Sequence, residues 1–147
     1  MNTTGQAPGA GLTRRQRVLS ALIGIGLVGV LAVAVALRPS ERGWGTHQQL
    51  GLPPCTFQWM FGRRCPSCGM TTSWAWLVRG NVVRAAQANV GGTMLAAAAL
   101  VAAPWLLVSA TRGRWLVTPP GDGVLVVAAI VVVVVTLIDW GLRLAAG

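Results

Sequence analysis

The chain has no lysine, a single histidine at His47, and only three carboxylates, Glu41, Asp122 and Asp139, set far apart along its 147 residues. With no carboxylate pair, no nucleophile elbow and no phosphate-cradling glycine loop, the machinery of an ordinary hydrolase is missing. Charge is scarce as well. Charged residues make up 10% of the chain against 54% apolar ones, and the mean hydropathy is +0.62. That balance excludes an ordinary soluble domain and places the chain in the membrane class. All twelve basic residues are arginine. They fall at the edges of apolar runs and form no basic stripe interleaved with aromatics, so lipid headgroups, and not nucleic acid, are the expected partner.

Three long apolar runs organise what remains. Residues 1–17 read as a flexible basic tail ending in Arg14, Arg15 and Arg17. Residues 18–37 carry no charge over twenty positions, a length that spans roughly 30 Å at about 1.5 Å per residue, the thickness of a bilayer core. Arg38 and Pro39 close this run. A cleaved export signal is the rival reading, since Arg14 and Arg15 precede it and Ala34-Val35-Ala36 resembles a cleavage site, but the run exceeds a signal core. Ser20 and Gly24 have the small-xxx-small spacing of close helix pairs.

The second crossing is expected at residues 89–110, alanine-rich and interrupted by Gly91, Gly92 and Pro104, which burial against partner helices would tolerate. The third is expected at 123–142. Its Val124 to Ile138 stretch holds twelve Val, Leu or Ile residues in fifteen, too long for a strand, and is worth about −4 to −7 kcal/mol of insertion. Asp139 and Arg143 follow four apart and are placed to pair at the membrane edge. Trp44, Trp59, Trp74, Trp76, Trp105, Trp115 and Trp140 mostly flank the runs, as an interfacial aromatic belt does.

Between the first two crossings, residues 44–88 form a cysteine-motif segment. Met70 to Ala88 reads as two short helices broken at Gly80-Asn81, lying along the membrane surface. Its apolar stripe is Trp74, Leu77 and Val78, with Arg79 and Arg84 reaching for lipid phosphates. A fourth crossing is the alternative, but Arg79 interrupts it. The arginines before the first run, with Arg112 and Arg114 in the second loop, favour a cytoplasmic amino terminus, which puts the cysteines outside, in an oxidising setting.

Cys65-Pro66-Ser67-Cys68 brings two sulfurs together in one turn, suited to two ligands of a tetrahedral metal or to a cyclic disulfide. Pro66 stiffens the turn, and Gly69 offers a positive φ that aims backbone N–H groups at the sulfurs. The turn resembles a zinc or iron knuckle, and Cys55 supplies a third sulfur and His47 a fourth ligand, a three-Cys, one-His set of the kind seen in structural zinc sites. Alternatively Cys65 and Cys68 form a redox pair with Cys55 as exchange partner, the start of a helix near Thr71 lowering the Cys68 pKa. The plain reading is that the cysteines only staple the loop or pack as small apolar side chains.

Cys55, Gly62, Cys65, Pro66, Cys68, Gly69, Met70, Thr71, Gly80, Asn81, Ala85 and Asn89 follow in order the motif of the domain of unknown function 2752 family, small bacterial membrane proteins that this stretch resembles. Three positions depart from it. Thr56 stands in place of proline, Thr72 in place of the arginine after Met-Thr, and Val90 in place of proline after Asn89. An anion contact carried by that arginine would be absent here. The resemblance implies a multi-pass protein of the bacterial cell membrane with a membrane-embedded cysteine motif, and no known activity comes with it.

The expectation is therefore an all-α integral membrane protein with three transmembrane helices and an interfacial helical cysteine segment. Its expected function is non-catalytic: the Cys55, Cys65, Cys68 cluster, held by disulfide or metal, orders a docking surface for another membrane protein or for lipid. A thiol-disulfide oxidoreductase using Cys65 and Cys68 is the rival from a different class. A transporter subunit rests only on Asp139 and Pro104.

Overall fold

In a computed structural model, residues 11–145 are described, and they form an all-α protein with no strand among them. The helices are α1 (Arg14–Ala36), α2 (Thr56–Phe61), α3 (Met70–Leu77), α4 (Val82–Ala88), α5 (Val90–Arg112) and α6 (Asp122–Ala145), with a 3-10 turn at Thr46–Leu50. Three of them, α1, α5 and α6, are long and apolar enough to cross a membrane. The first ten residues of the expected basic tail lie outside the described residues.

Helix α1 starts at Arg14, four residues before the apolar run, because Thr13 builds a capping box there. The Thr13 hydroxyl accepts from the Gln16 N–H at 3.3 Å, and the Gln16 side chain accepts from the Thr13 N–H at 3.0 Å. Arg14, Arg15 and Arg17 therefore ride on helical turns and not on a loose tail. Leu12 N–H donates to the Gly113 carbonyl at 2.9 Å, tying this end of α1 to the far end of α5. At its other end α1 stops at Ala36, where Leu37 turns extended before Arg38 and Pro39.

Helices α1 and α5 run antiparallel, and their contact explains the small residues in both. Ser20, Gly24 and Ala34 are the buried residues of α1. A side chain at Gly24 would come within 2.8 Å of Leu107, so the two helices meet there at the closest approach a glycine allows. The buried residues of α5 are Gly91, Gly92, Ala96, Ala99, Ala103, Ser109 and Ala110. Pro104 sits inside the helix without ending it, since a helix packed on its neighbours tolerates the lost hydrogen bond.

Helix α6 runs beside α5 and meets the cap through side chains of its last turns, and none of its residues is buried. Its close contact is at one end, where a Cβ on Gly91 would overlap the Thr136 hydroxyl. Residues 38–89 fold into a cap over that same end, where α1 finishes, α5 begins and α6 finishes.

The cap contains the two short helices expected on either side of Gly80-Asn81, but its inward face differs from the expected stripe. Thr72, Ser73 and Ala75 are the buried residues of α3, while Trp74, Leu77 and Val78 are only half-buried. Small side chains face inward because α3 packs against α5, with Met70 and Ser73 so close to Gly92 that a Cβ there would lie 2.5 Å from the Ser73 hydroxyl. Arg79 does not extend towards lipid. Its guanidinium donates to the carbonyls of Ala34, Val35 and Leu37 at 2.7–3.2 Å, satisfying the last turn of α1, and to Ala75 within its own helix. Arg84 pairs with Glu41 and lies 4.7 Å above the Trp76 ring.

Candidate functional site

The cysteine turn is held by its own backbone and by the helices behind it. Cys68 N–H donates to the Cys65 carbonyl at 3.0 Å, and Met70 N–H to that of Ser67 at 3.1 Å, which starts α3. Gly69, between them, has φ +92°. A Cβ there would lie 2.3 Å from the Ala88 carbonyl oxygen and 2.7 Å from that of Gly43, so only glycine fits on both conformational and steric grounds.

Asn89 organises the back of this turn. It is fully buried and extended, and it links the end of α4 to the start of α5. Its amide donates to the Pro66 carbonyl at 3.0 Å and to that of Cys68 at 3.3 Å, while its oxygen caps α5 by accepting from Gly92 N–H at 2.7 Å. Helix α6 adds two further donors. Trp140 Nε1 donates to the Arg64 carbonyl at 2.7 Å, and Arg143 donates to the carbonyls of Ala88 at 3.1 Å and Cys68 at 3.4 Å. The carbonyls of residues 64, 66 and 68 are thus engaged from the α5 and α6 side, leaving the sulfurs for the opposite face.

Arg143 also forms the expected ion pair with Asp139, whose carboxylate accepts from Val90 N–H at 3.4 Å. The pair is part of the cap's framework, because it reaches the first turn of α5 and the cysteine turn together.

On the opposite face the sulfurs of Cys55, Cys65 and Cys68 all lie within 4.8 Å of one another. Cys65 and Cys68 are separated by 3.2 Å. Cys55 arrives from a different segment as the N-cap residue of α2. The three sulfurs open onto a cavity of about 200 Å³ that His47, Trp44, Ser67 and Met70 also line. His47 shares the cavity without belonging to the close sulfur cluster.

The sulfurs differ in acidity. Partial burial raises the Cys55 pKa, but hydrogen bonding from the Gln58 backbone, the Cys65 and Cys68 thiols and the Phe57 backbone outweighs it and brings the value down to about 7. For Cys68, burial followed by its interactions with Cys65 and Cys55 pushes the pKa up to about 12. The start of α3 was expected to lower the Cys68 pKa. Burial of the sulfur behind its own turn reverses that sign.

The remaining motif residues lie at helix ends and in the packing of the cap. Gly62 ends α2 at φ +65°, and Gly80 follows α3 at φ +78°. Asn81 caps α4 by accepting from Arg84 N–H at 3.0 Å, and Ala85 is fully buried. Thr72, in the position of the family's arginine, is fully buried, and its hydroxyl lies 2.7 Å from that of Thr46. This link joins α3 to the turn that carries His47. The roles of Thr46, Trp140 and Arg143 at this site were not apparent from the sequence. The only signal was chemical type, since a hydroxyl, an indole and a guanidinium near helix ends are the donors that a loop's carbonyls need.

A three-thiol cap over membrane-length helices defines the class, a small all-α protein with its cysteines gathered at one end of the bundle. Residues 55–103, from Cys55 into the middle of α5, match the model of the family described as Protein of unknown function (DUF2752). No curated protein and no solved structure matches the chain.

Proposed function

We propose that the Cys55, Cys65, Cys68 cluster is a metal-binding centre, with zinc as its ion, that locks the 44–88 segment into a docking surface at the membrane face. The role is non-catalytic. The observation that carries this reading is the convergence of three sulfurs from two separate segments. A disulfide needs two sulfurs, and a third held within 4.8 Å is a ligand count.

The geometry tolerates the ion. Zinc–sulfur bonds of about 2.3 Å place tetrahedral sulfurs roughly 3.8 Å apart, so Cys65 and Cys68, now 3.2 Å apart, would separate by about half an ångström. His47 lines the same cavity and is the fourth ligand of this reading. Its turn is secured to α3 by the Thr46 and Thr72 hydroxyls. Metal binding would displace the proton that burial holds on Cys68, which makes affinity rise with pH.

The partner of the docking surface is another membrane protein or lipid, and the cap faces out of the cytoplasm of a bacterial cell. Arg14, Arg15, Arg17, Arg112 and Arg114 lie at one end of the bundle and the other seven arginines at the cap end. The orientation therefore rests on the trio crowding the start of α1 and not on the total, and thiol labelling from either side of the membrane decides it.

One observation favours a second reading. The 3.2 Å between Cys65 and Cys68 is a direct sulfur–sulfur contact, as an oxidisable pair needs, and Cys55, with its pKa near 7, is a ready exchange thiol. The pair would give two electrons and two protons to an acceptor disulfide, closing as a disulfide while the acceptor opens to two thiols. Metal analysis and thiol titration of protein purified without chelator separate the two. About one zinc per chain, lost in Cys65→Ser, supports the metal centre. Metal-free protein with a Cys65–Cys68 disulfide that exchanges with a dithiol overturns it in favour of the oxidoreductase.

A further inference from the structure

At the end of the bundle opposite the cap, α1 and α5 enclose a groove of about 530 Å³ whose two ends differ in chemistry. Arg14 and Arg17 stand at its mouth, and Val18, Ala21, Ile25 and Leu107 form its walls. No carboxylate lines it. The volume is within the range of small-molecule sites. From Arg14 to Ile25 is eleven residues along one helix, so the walls descend roughly 16 Å at about 1.5 Å per residue, from the polar boundary well into the apolar layer.

Arg17 is fixed at this mouth. Its Nη2 donates to the Thr111 carbonyl at 3.1 Å in the last turn of α5, which satisfies a helix-end acceptor and holds the guanidinium while leaving its other N–H groups available. Paired cations over a long apolar slot, opening between two membrane-length helices, match a molecule with an anionic head and a hydrocarbon tail. We propose that this groove is a binding site for one anionic phospholipid, with the phosphate between Arg14 and Arg17 and an acyl chain lying along Val18, Ala21 and Ile25 against Leu107. A soluble phosphate would leave the apolar walls unused, and a neutral lipid would leave the arginines without a counter-charge. This site is independent of the cysteine centre.

Native mass spectrometry of the full-length chain released from bilayers of equal phosphatidylglycerol and phosphatidylcholine tests it. The expected result is one retained phosphatidylglycerol per chain, with its occupancy relative to phosphatidylcholine falling roughly tenfold in Arg14→Gln/Arg17→Gln. Ile25→Trp, an outward position that fills the slot and leaves both arginines in place, should also displace the lipid. Arg112→Gln/Arg114→Gln, at the same end but outside the groove, should not. Helical content by circular dichroism checks that each variant folds. Equal phosphatidylglycerol retention by wild type and the Arg14/Arg17 variant overturns the proposal. So does full retention in Ile25→Trp, which would reduce the effect to general surface charge, or displacement by inorganic phosphate alone.

Discussion

Helices α5 and α6 are nearly the same length and both are able to cross a membrane, yet they do opposite work. The valine-rich α6 is the more apolar, buries none of its residues and has α5 as the one helix running close beside it. The alanine-rich α5, the less apolar of the two, is the one on which α1, α3, α4 and α6 all pack. Hydropathy ranks how readily a helix enters lipid. Packing in lipid follows a different rule, because acyl chains solvate valine as well as protein does, and only small residues let backbones come close enough to gain dispersion and hydrogen bonds. What α6 contributes comes from its last turns, where Asp139, Trp140 and Arg143 grip the cap.

Substitutions on the packed face of α5 and in the middle of α6 should therefore differ several-fold in cost. Gly92→Leu drives a side chain into Ser73 and the Met70 backbone, and should cost about 3 kcal/mol and detach α3 from α5. Denaturant titration in detergent micelles measures it, and a cost near zero would show that α5 is not the organising helix. Asn89→Ala should follow at about 2 kcal/mol, since it uncaps α5 and leaves the Pro66 and Cys68 carbonyls short of a donor. The same change should loosen the cysteine turn, seen as faster alkylation of Cys68. Arg143→Gln should cost about 1 to 2 kcal/mol, and cross-linking between the ends of α6 and the cap should weaken with it.

The cysteines sharpen the same contrast, because Cys68 is held by the α5 side of the cap while Cys55 stands on α2. In metal-free protein, Cys55 has a lowered pKa, so its thiolate prevails above pH 7 and its alkylation should fall as pH drops through about 7. Cys68 has a raised pKa, stays protonated until pH approaches 12, and should alkylate far more slowly at neutral pH. Coincident pH profiles followed by mass spectrometry would remove that distinction. The smallest effect belongs to Val133→Ala in the middle of α6, an outward position where stability should change by less than about 0.5 kcal/mol.

The spans were legible because twenty uncharged residues in water are so unfavourable that composition alone identifies them. The break at Gly80-Asn81 was legible because positive φ and N-capping need those residue types. The inward face of α3 was not, since periodicity marks apolar stripes and the closest contacts here use Thr72, Ser73 and Gly92. Nor were the uses of Arg79 and Arg84, because an arginine near an apolar run meets a lipid phosphate or a helix-end carbonyl with equal chemical sense, and the choice depends on which helix end lies within reach. Cys55, Cys65 and Cys68 were recognisable as a group. His47 was grouped with them on ligand count, and the structure brings it to the same cavity but not into the sulfur cluster.

X-ray absorption at the zinc edge, on full-length protein purified from membranes without chelator, tests the proposed metal centre most directly. The account predicts three sulfur neighbours at about 2.3 Å and one nitrogen at about 2.0 Å, the nitrogen shell disappearing in His47→Ala. A spectrum with no sulfur shell, or protein that carries no zinc, would contradict it.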